Sequence, residues 1–167
     1  MTLLEVCQWL ESTPISIGIR ESNWWFSILE VLHTLGIVLV AGTILLVDLR
    51  LLGQGLRRMA VPQVIGYVVP WTLSGFVFMA LSGGLLLTTE AVTCYNSPAF
   101  RIKVLLLSLA GLNALVFHLT VYRDAPSWDP QAPAPFRARM AGLSSLILWA
   151  GIVAAGRAVA YGPGYGK

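Results

Sequence analysis

From Trp24 to Val47 the chain reads WWFSILEVLHTLGIVLVAGTILLV, an apolar run in which Glu30 is the sole charged residue. A helix crosses the hydrocarbon core of a bilayer with about 20 residues. Later stretches of similar length and character run from Val64 to Leu87, from Val104 to Val121 and from Met140 to Tyr161. The sequence therefore predicts an all-α integral membrane protein that folds as a four-helix bundle.

The composition argues against the other broad classes of protein. Hydrophobic residues make up 56% of the 167 residues and charged residues 11%, against roughly 25% charged in soluble domains. So few charges cannot coat a soluble fold of this size, and a disordered chain would be polar. The net charge is +3 and no basic cluster exceeds Arg57-Arg58, so nucleic acid is not expected as a partner.

Residues 1–23 form a separate N-terminal segment whose apolar side chains recur at helical spacing. Those apolar residues are Leu3, Leu4, Cys7 and Leu10. The pattern predicts a short amphipathic helix lying along the membrane interface, which Thr13-Pro14 is expected to end. The chain then divides into an interfacial segment at 1–23, a four-helix transmembrane domain at 24–161 and a C-terminal tail at 162–167.

The distribution of Lys and Arg between the loops predicts the orientation in a bacterial inner membrane. The loops after the first and third spans share one side and carry Arg50, Arg57, Arg58, Arg123, Arg137 and Arg139. The opposite side carries Arg20, Arg101, Lys103 and Lys167. The excess favours the Arg-rich loops in the cytoplasm and both termini outside it.

The linkers give three further expectations. The segment from Arg123 to Arg139 is rich in proline and is expected to be extended and non-helical. Asp48 and Arg50, at the inner end of the first span, are expected to form an interfacial ion pair. Cys7 and Cys94 face the same side, where they either form a disulfide or are unrelated thiols.

Polar side chains inside the spans are the candidate functional residues, because lipid makes them costly. Glu30 and His33 lie one helical turn apart on one face of the first span. His118 lies in the third span and Arg157 in the fourth. His33 and His118 are the 2 histidines of the chain.

A neutral imidazole is a common axial ligand of haem iron, and helix bundles often hold such sites. We therefore expect His33 to ligate the iron of a haem b. Glu30 would orient the ring or pair with a cation, and Arg101, Lys103 and Arg157 lie where they could pair with the propionates. The competing interpretation is a histidine that hydrogen-bonds across helices, with a Glu30–Arg157 ion pair and the other cations reaching toward lipid headgroups.

The second histidine is a poorer ligand for the same iron. The first and third helices cross the membrane in the same direction. His33 lies before the middle of its span and His118 past the middle of its own, so their depths differ by roughly 10–12 Å at 1.5 Å per residue. The sixth ligand of the iron is then absent, or comes from a second chain or a partner subunit.

Several segments resemble a family of small bacterial four-helix membrane proteins of unknown function. They are LEVLHTLG at 29–36, GTILLVDLRLLG at 42–53, PW at 70–71, GF at 75–76 and NSPAFRIK at 96–103. The resemblance implies the fold and the membrane location. A second likeness, to CopD-type copper-resistance proteins and b-type cytochromes, rests on an early histidine in an apolar helix with small residues after it.

The leading hypothesis is a haem-b-binding membrane subunit that transfers electrons, a redox carrier rather than an enzyme with its own substrate. One alternative is a cofactor-free structural or accessory subunit that packs against a larger membrane complex or a second copy of itself. Another alternative is a copper or small-solute permease of the CopD type. In each case the partners are the lipid bilayer and a membrane or extracytoplasmic protein.

Overall fold

The computed structural model describes residues 2–56, 58–128 and 132–162, and the ordered elements in this part of the chain are helical. In chain order the helices are α1 (Leu3–Glu11), α2 (Pro14–Glu21), α3 (Trp25–Leu51), α4 (Val61–Thr89), α5 (Ala91–Asn96), α6 (Pro98–Val116) and α7 (Phe136–Ala160). A π-helical turn at Phe117–Val121 and a 3-10 turn at Tyr122–Ser127 continue α6. We call the end of the bundle where α3 begins and α4 ends the upper end, and the opposite end the lower end.

The structure confirms the all-α membrane fold, since 4 helices are long and apolar enough to span a bilayer. They are α3, α4, α6 with its continuation, and α7. The third span begins at Pro98 rather than Val104, because Ser97 caps the helix by accepting a hydrogen bond from the Phe100 N–H at 3.3 Å. Pro98 favours this early start, because the backbone N–H at the first helical position has no partner within the helix and proline lacks that N–H.

The N-terminal segment contains the predicted short helix, and the structure adds a second one. In α1, Thr2 and Glu5 form a reciprocal capping box. Thr13 is the last residue between α1 and α2 and caps α2, and Pro14 occupies the first turn of α2. The Thr-Pro pair thus begins one helix directly after another has ended. We had expected only the end.

The two short helices are fixed to the upper end of the bundle by partly buried hydrogen bonds. The Ser16 side chain is fully buried, and its hydroxyl donates to the Thr88 carbonyl at 2.8 Å. The Glu11 carboxylate accepts a hydrogen bond from the Val92 N–H at 2.8 Å. The segment is therefore a cover on the ends of α4 and α5.

The spanning helices form two antiparallel pairs, α3 with α4 and α6 with α7, and α3 packs on α7 to join them. Glycines allow close approach at each contact. A Cβ atom added to Gly36 would lie 3.1 Å from Met79 Cβ on α4. One added to Gly142 of α7 would lie 3.3 Å from the Asp48 carbonyl oxygen of α3. The α3–α7 contact is thus the joint between the two pairs.

A buried apolar cluster closes the lower end. Its members are Leu51, Val61, Ile65, Phe117, Ala134 and Ala138. They come from the end of α3, the start of α4, the π-helical turn, and the start of α7 with the residues just before it. Because the cluster gathers all four spans, it fixes the level of each helix at this end.

The expectation of an extended loop between the third and fourth spans is wrong. The segment from Arg123 to Arg139 is not extended throughout, since the 3-10 turn runs to Ser127 and α7 starts at Phe136. Proline is compatible with both positions, because a short turn and a helix start leave its nitrogen without a required bond. Residues 129–131 of this segment, Arg57 and the tail beyond Gly162 lie outside the described residues.

Asp48 and Arg50 do not form the expected ion pair. Both side chains are 4% exposed, but the Arg50 Nε atom donates to the Met59 carbonyl at 2.7 Å. Asp48 accepts a hydrogen bond from the Ser145 side chain of α7. Residues two apart on a helix point to different sides, which explains why the two charges have different partners.

Candidate functional site at the upper end of the bundle

His33 lies in the third turn of α3 and is held against α4. Its Nδ1 atom lies 3.0 Å from the Met79 carbonyl oxygen and 3.2 Å from the Ser82 hydroxyl. A carbonyl can only accept a hydrogen bond, so Nδ1 carries the proton and donates it. In the neutral ring the lone pair is then on Nε2, which is the atom available to a ligand.

Gly83 lets the imidazole ring lie directly on the surface of α4. A Cβ atom at this position would be 2.7 Å from His33 Cε1 and 3.1 Å from Nδ1, which is closer than real atoms approach. The neighbouring Gly84 has no heavy atom within 4 Å of its Cβ position. Gly83 is therefore required by the ring, whereas Gly84 is not.

Lys103 brings a positive charge to this level from α6. Its side chain is half-buried, and its Nζ and Cε atoms lie 3.8 Å from the Cβ position of Gly156 on α7. The ammonium acts electrostatically on His33 and on Cys94. Within the described residues it makes no hydrogen bond or ion pair, so it is a cation without an anionic partner.

Two carboxyl groups belong to the same region. Glu30 is half-buried on α3, and Glu90 follows the last turn of α4 with 5% exposure. The two negative charges repel each other electrostatically. Glu30 is expected either to orient the His33 ring or to pair with a cation, and the hydrogen bonds that orient the ring are to the Met79 carbonyl and Ser82.

Cys94 is a buried thiol beside this cluster. Burial, and then the charge of Glu90, raise its pKa to about 11, and the opposing effect of Lys103 is smaller. The thiolate is the nucleophilic form, so the group is inert at neutral pH. Cys7, on the neighbouring α1, is also a free thiol. The two are close enough to interact electrostatically.

Two of the cations expected near a haem have other partners. Arg101 is exposed, donates to the Tyr95 carbonyl from Nε at 3.3 Å and Nη2 at 2.9 Å, and lies over the Tyr95 ring. Arg157 is exposed, donates to the Tyr161 hydroxyl and lies 4.7 Å from the centroid of that ring. Neither arginine pairs with Glu30 in this arrangement, and Lys103 is the cation that acts electrostatically on the histidine.

The structure does not bring His118 to this site. The residue lies in the π-helical turn and is exposed, and its Nδ1 atom bonds the Ala114 carbonyl of its own helix at 2.9 Å. The adjacent Phe117 packs with Leu51 in the lower cluster. From His33 to Leu51 the axis of α3 covers roughly 27 Å at 1.5 Å per residue. The histidines therefore lie at opposite ends of the bundle, farther apart than we expected.

The donor set suits a prosthetic group better than a bare metal ion. A copper or zinc ion takes several side-chain ligands, and in the described ranges no three His, Cys, Asp or Glu side chains converge. A porphyrin supplies four of its iron's ligands itself and takes an axial imidazole from the protein. The site offers one oriented histidine with an available Nε2, and Lys103 supplies the positive charge that acts on it.

Sequence reasoning missed three members of this site. Ser82, Glu90 and Cys94 were not among the predicted site residues, although Ser82 stands beside the Gly83-Gly84 pair that marks close helix packing. Glu90 has the clearer signal, since an acid directly after an apolar span must find a polar environment.

Comparison of the chain with protein-family models, with curated proteins and with solved structures finds no match. The resemblance carried by residues 29–36 and 42–53 therefore stays an expectation from those segments.

Proposed function

We propose that the chain is a membrane subunit that binds haem b through His33 and transfers electrons. The observation that supports it is the hydrogen bond from Nδ1–H to the Met79 carbonyl. This bond fixes the tautomer and leaves the Nε2 lone pair free to bind a metal. A bound haem would supply a one-electron iron couple.

The surrounding residues have distinct parts in this proposal. The Met79 carbonyl and the Ser82 hydroxyl hold the ring and increase the basicity of its free nitrogen. Lys103 offers a charge-assisted hydrogen bond to a propionate. Glu30 and Glu90 place carboxyl groups near the site, and their negative charge would favour the oxidised iron of a bound haem and lower its midpoint potential.

The test is the absorption spectrum of the protein purified with ample haem supply. The wild type should show a Soret band, with sharp α and β bands on reduction. His33→Ala should lose most of this signal, and the matched control His118→Ala should keep it. A colourless wild type, or a His33→Ala variant that keeps the spectrum, would refute His33 as the axial ligand. Equal loss in both variants would instead indicate that both histidines ligate the iron.

A second experiment separates propionate binding from general stability. Lys103→Gln removes the cation near His33, whereas Arg157→Ala removes one that is bound to Tyr161. We expect faster haem loss to apomyoglobin from Lys103→Gln and an unchanged rate from Arg157→Ala. Equal rates in the two variants would argue against a propionate at Lys103.

A cofactor-free accessory subunit is the second candidate, and the exposure of α6 favours it. In the spanning window of α6 and its continuation 6% of the residues are buried, against 28% in α4. A helix with so little intramolecular contact offers its apolar surface to lipid or to a partner helix. Crosslinking in native membranes would support this candidate if a colourless protein is captured in a stoichiometric complex through α6.

We also propose that the upper end faces away from the cytoplasm of a bacterial inner membrane, because the Arg-rich loops lie at the lower end. Single cysteines at the exposed positions Glu21 and Gln54, in a background without Cys7 and Cys94, test this orientation. A membrane-impermeant reagent on intact cells should label position 21 alone. Labelling of position 54 alone would reverse the orientation.

A further inference from the structure

Asp48 is a buried carboxyl group that the proposed haem site does not use. It lies in the last turn of α3 with 4% exposure. The Ser145 side chain donates one hydrogen bond to it from α7. Its Oδ2 atom is buried and has no hydrogen-bond partner. The backbone around Gly142 packs on the same turn, where an added Cβ atom would lie 3.3 Å from the Asp48 carbonyl oxygen.

The surroundings do not stabilise a negative charge at this position. Ionised carboxylates that are buried need a cation or several N–H donors, and here there is a single hydroxyl. The carbonyl end of a helix carries a partial negative charge, which further disfavours an anion in the last turn of α3. Arg50 is directed to the Met59 carbonyl instead.

The elements packed around the group do not bring compensating charge. From α7 the facing polar side chain is Ser145. Among the described residues, no Lys, Arg, His, Asp or Glu of α3, α4 or α7 acts electrostatically on Asp48. A metal cation would need further oxygen ligands, whereas a proton needs only the free Oδ2 atom.

We infer that Asp48 is a proton-binding site and that it holds a neutral carboxylic acid in the joint between α3 and α7. Release of the proton to water at the lower end would leave a carboxylate with one hydrogen-bond donor against the closely packed Gly142. The charge could then be accommodated only if water enters or α7 moves away from α3. The protonation state of Asp48 therefore controls how tightly the two helix pairs are joined.

Infrared difference spectroscopy of the purified protein in detergent tests the site directly. A protonated carboxylic acid absorbs at higher frequency than a carboxylate. At mildly acidic pH the wild-type spectrum should contain a protonated-carboxyl band that is lost in Asp48→Asn. Asp124→Asn, which changes an exposed acid of the 3-10 turn, should retain the band. A wild-type spectrum that differs from Asp48→Asn by a carboxylate band would overturn the inference.

A second variant assigns the band without replacing the acid. Ser145→Ala removes the hydrogen bond to Asp48 and should shift the band to higher frequency, whereas the bands of Glu30 and Glu90 should not move. An unshifted band would assign the proton to one of those glutamates instead and refute Asp48 as the site. The Ser145→Ala spectrum tests whether Asp48 holds the proton even where Asp48→Asn fails to fold.

The effect on the joint is measured as a pH dependence of stability. The native state binds the proton more tightly than the unfolded chain does, so raising the pH should destabilise wild type relative to Asp48→Asn. The midpoint of unfolding should fall with pH in wild type and in Asp124→Asn, and fall less in Asp48→Asn. Parallel curves for all three proteins would show that the carboxyl does not control the α3–α7 contact.

Discussion

The contact between His33 and Gly83 makes a sharp prediction, because the neighbouring glycine provides its control. In Gly83→Ala the new methyl group would lie 2.7 Å from His33 Cε1, so the ring must move. Movement away from α4 breaks the 3.0 Å hydrogen bond from Nδ1 to the Met79 carbonyl. Gly84→Ala adds the same methyl group where no heavy atom lies within 4 Å.

The expected difference in free energy of unfolding follows from these contacts. Overpacking costs about 1–3 kcal/mol, and a lost hydrogen bond costs about 0.5–1.5 kcal/mol. Replacing glycine by alanine inside a helix gains up to about 1 kcal/mol, but this gain is common to both variants and cancels. Gly83→Ala should therefore be less stable than Gly84→Ala by about 1.5–4.5 kcal/mol.

Unfolding by increasing mole fractions of SDS in mixed micelles, followed by circular dichroism, measures this difference. A double-mutant cycle identifies its source: in a His33→Ala background, Gly83→Ala should lose most of its penalty. Equal stabilities of the two glycine variants would refute the packing of the ring on α4. A penalty that persists without the imidazole would place the clash elsewhere.

Three further predictions concern the buried polar groups outside this contact. The pKa of Cys94 is about 11, so iodoacetamide should modify it much more slowly in the native protein than in the SDS-unfolded chain at neutral pH. The native rate should rise toward pH 11. Equal rates in the native and unfolded protein, measured by mass spectrometry, would contradict this. Ser16→Ala should cost about 1 kcal/mol and make the segment carrying α1 and α2 more sensitive to protease, and an unchanged digestion rate would show that the Ser16 bond does not hold it. Arg50→Gln should destabilise the protein by about 1.5–3 kcal/mol through loss of the charged bond to the Met59 carbonyl, while the exposed Arg58→Gln should have little effect in the same SDS titration.

The spanning helices could be predicted because hydrophobic length is a property of each segment alone. Their ends were harder to place. Arg101 and Lys103 suggested a linker, yet Ser97 and Pro98 begin the helix before them. The second short helix was missed for a related reason, because Pro14 was interpreted only as a stop, although proline is favoured at the first helical position.

The sequence predicts members of the candidate site only where a polar side chain lies inside a span, because placing such a side chain in lipid costs free energy. His33 was identified in this way, but its partner is the backbone carbonyl of Met79, and a carbonyl has no signature in the sequence. The register that brings the two together is set by the approach of Gly36 to Met79, which depends on both helices. Glu90 and Cys94 lay in an apparent linker and became part of the site only through the folding of α5.

The packing along α3 separates the proposed haem site from Asp48. His33 and Asp48 lie roughly 22 Å apart along the helix at 1.5 Å per residue. Between them Gly36 packs against the backbone of Met79, and Val40 is 1% exposed. Polar groups at the two ends are thus separated by close packing, in which the polar side chains Thr43 and Thr72 hydrogen-bond to each other at 2.9 Å. A permease would have to open this segment. If the sites are independent in this way, Asp48→Asn should leave the haem spectrum unchanged and His33→Ala should leave the Asp48 infrared band unchanged. A haem spectrum that shifts in Asp48→Asn would instead require a connection through this packed segment, and would favour a proton-coupled role for both residues.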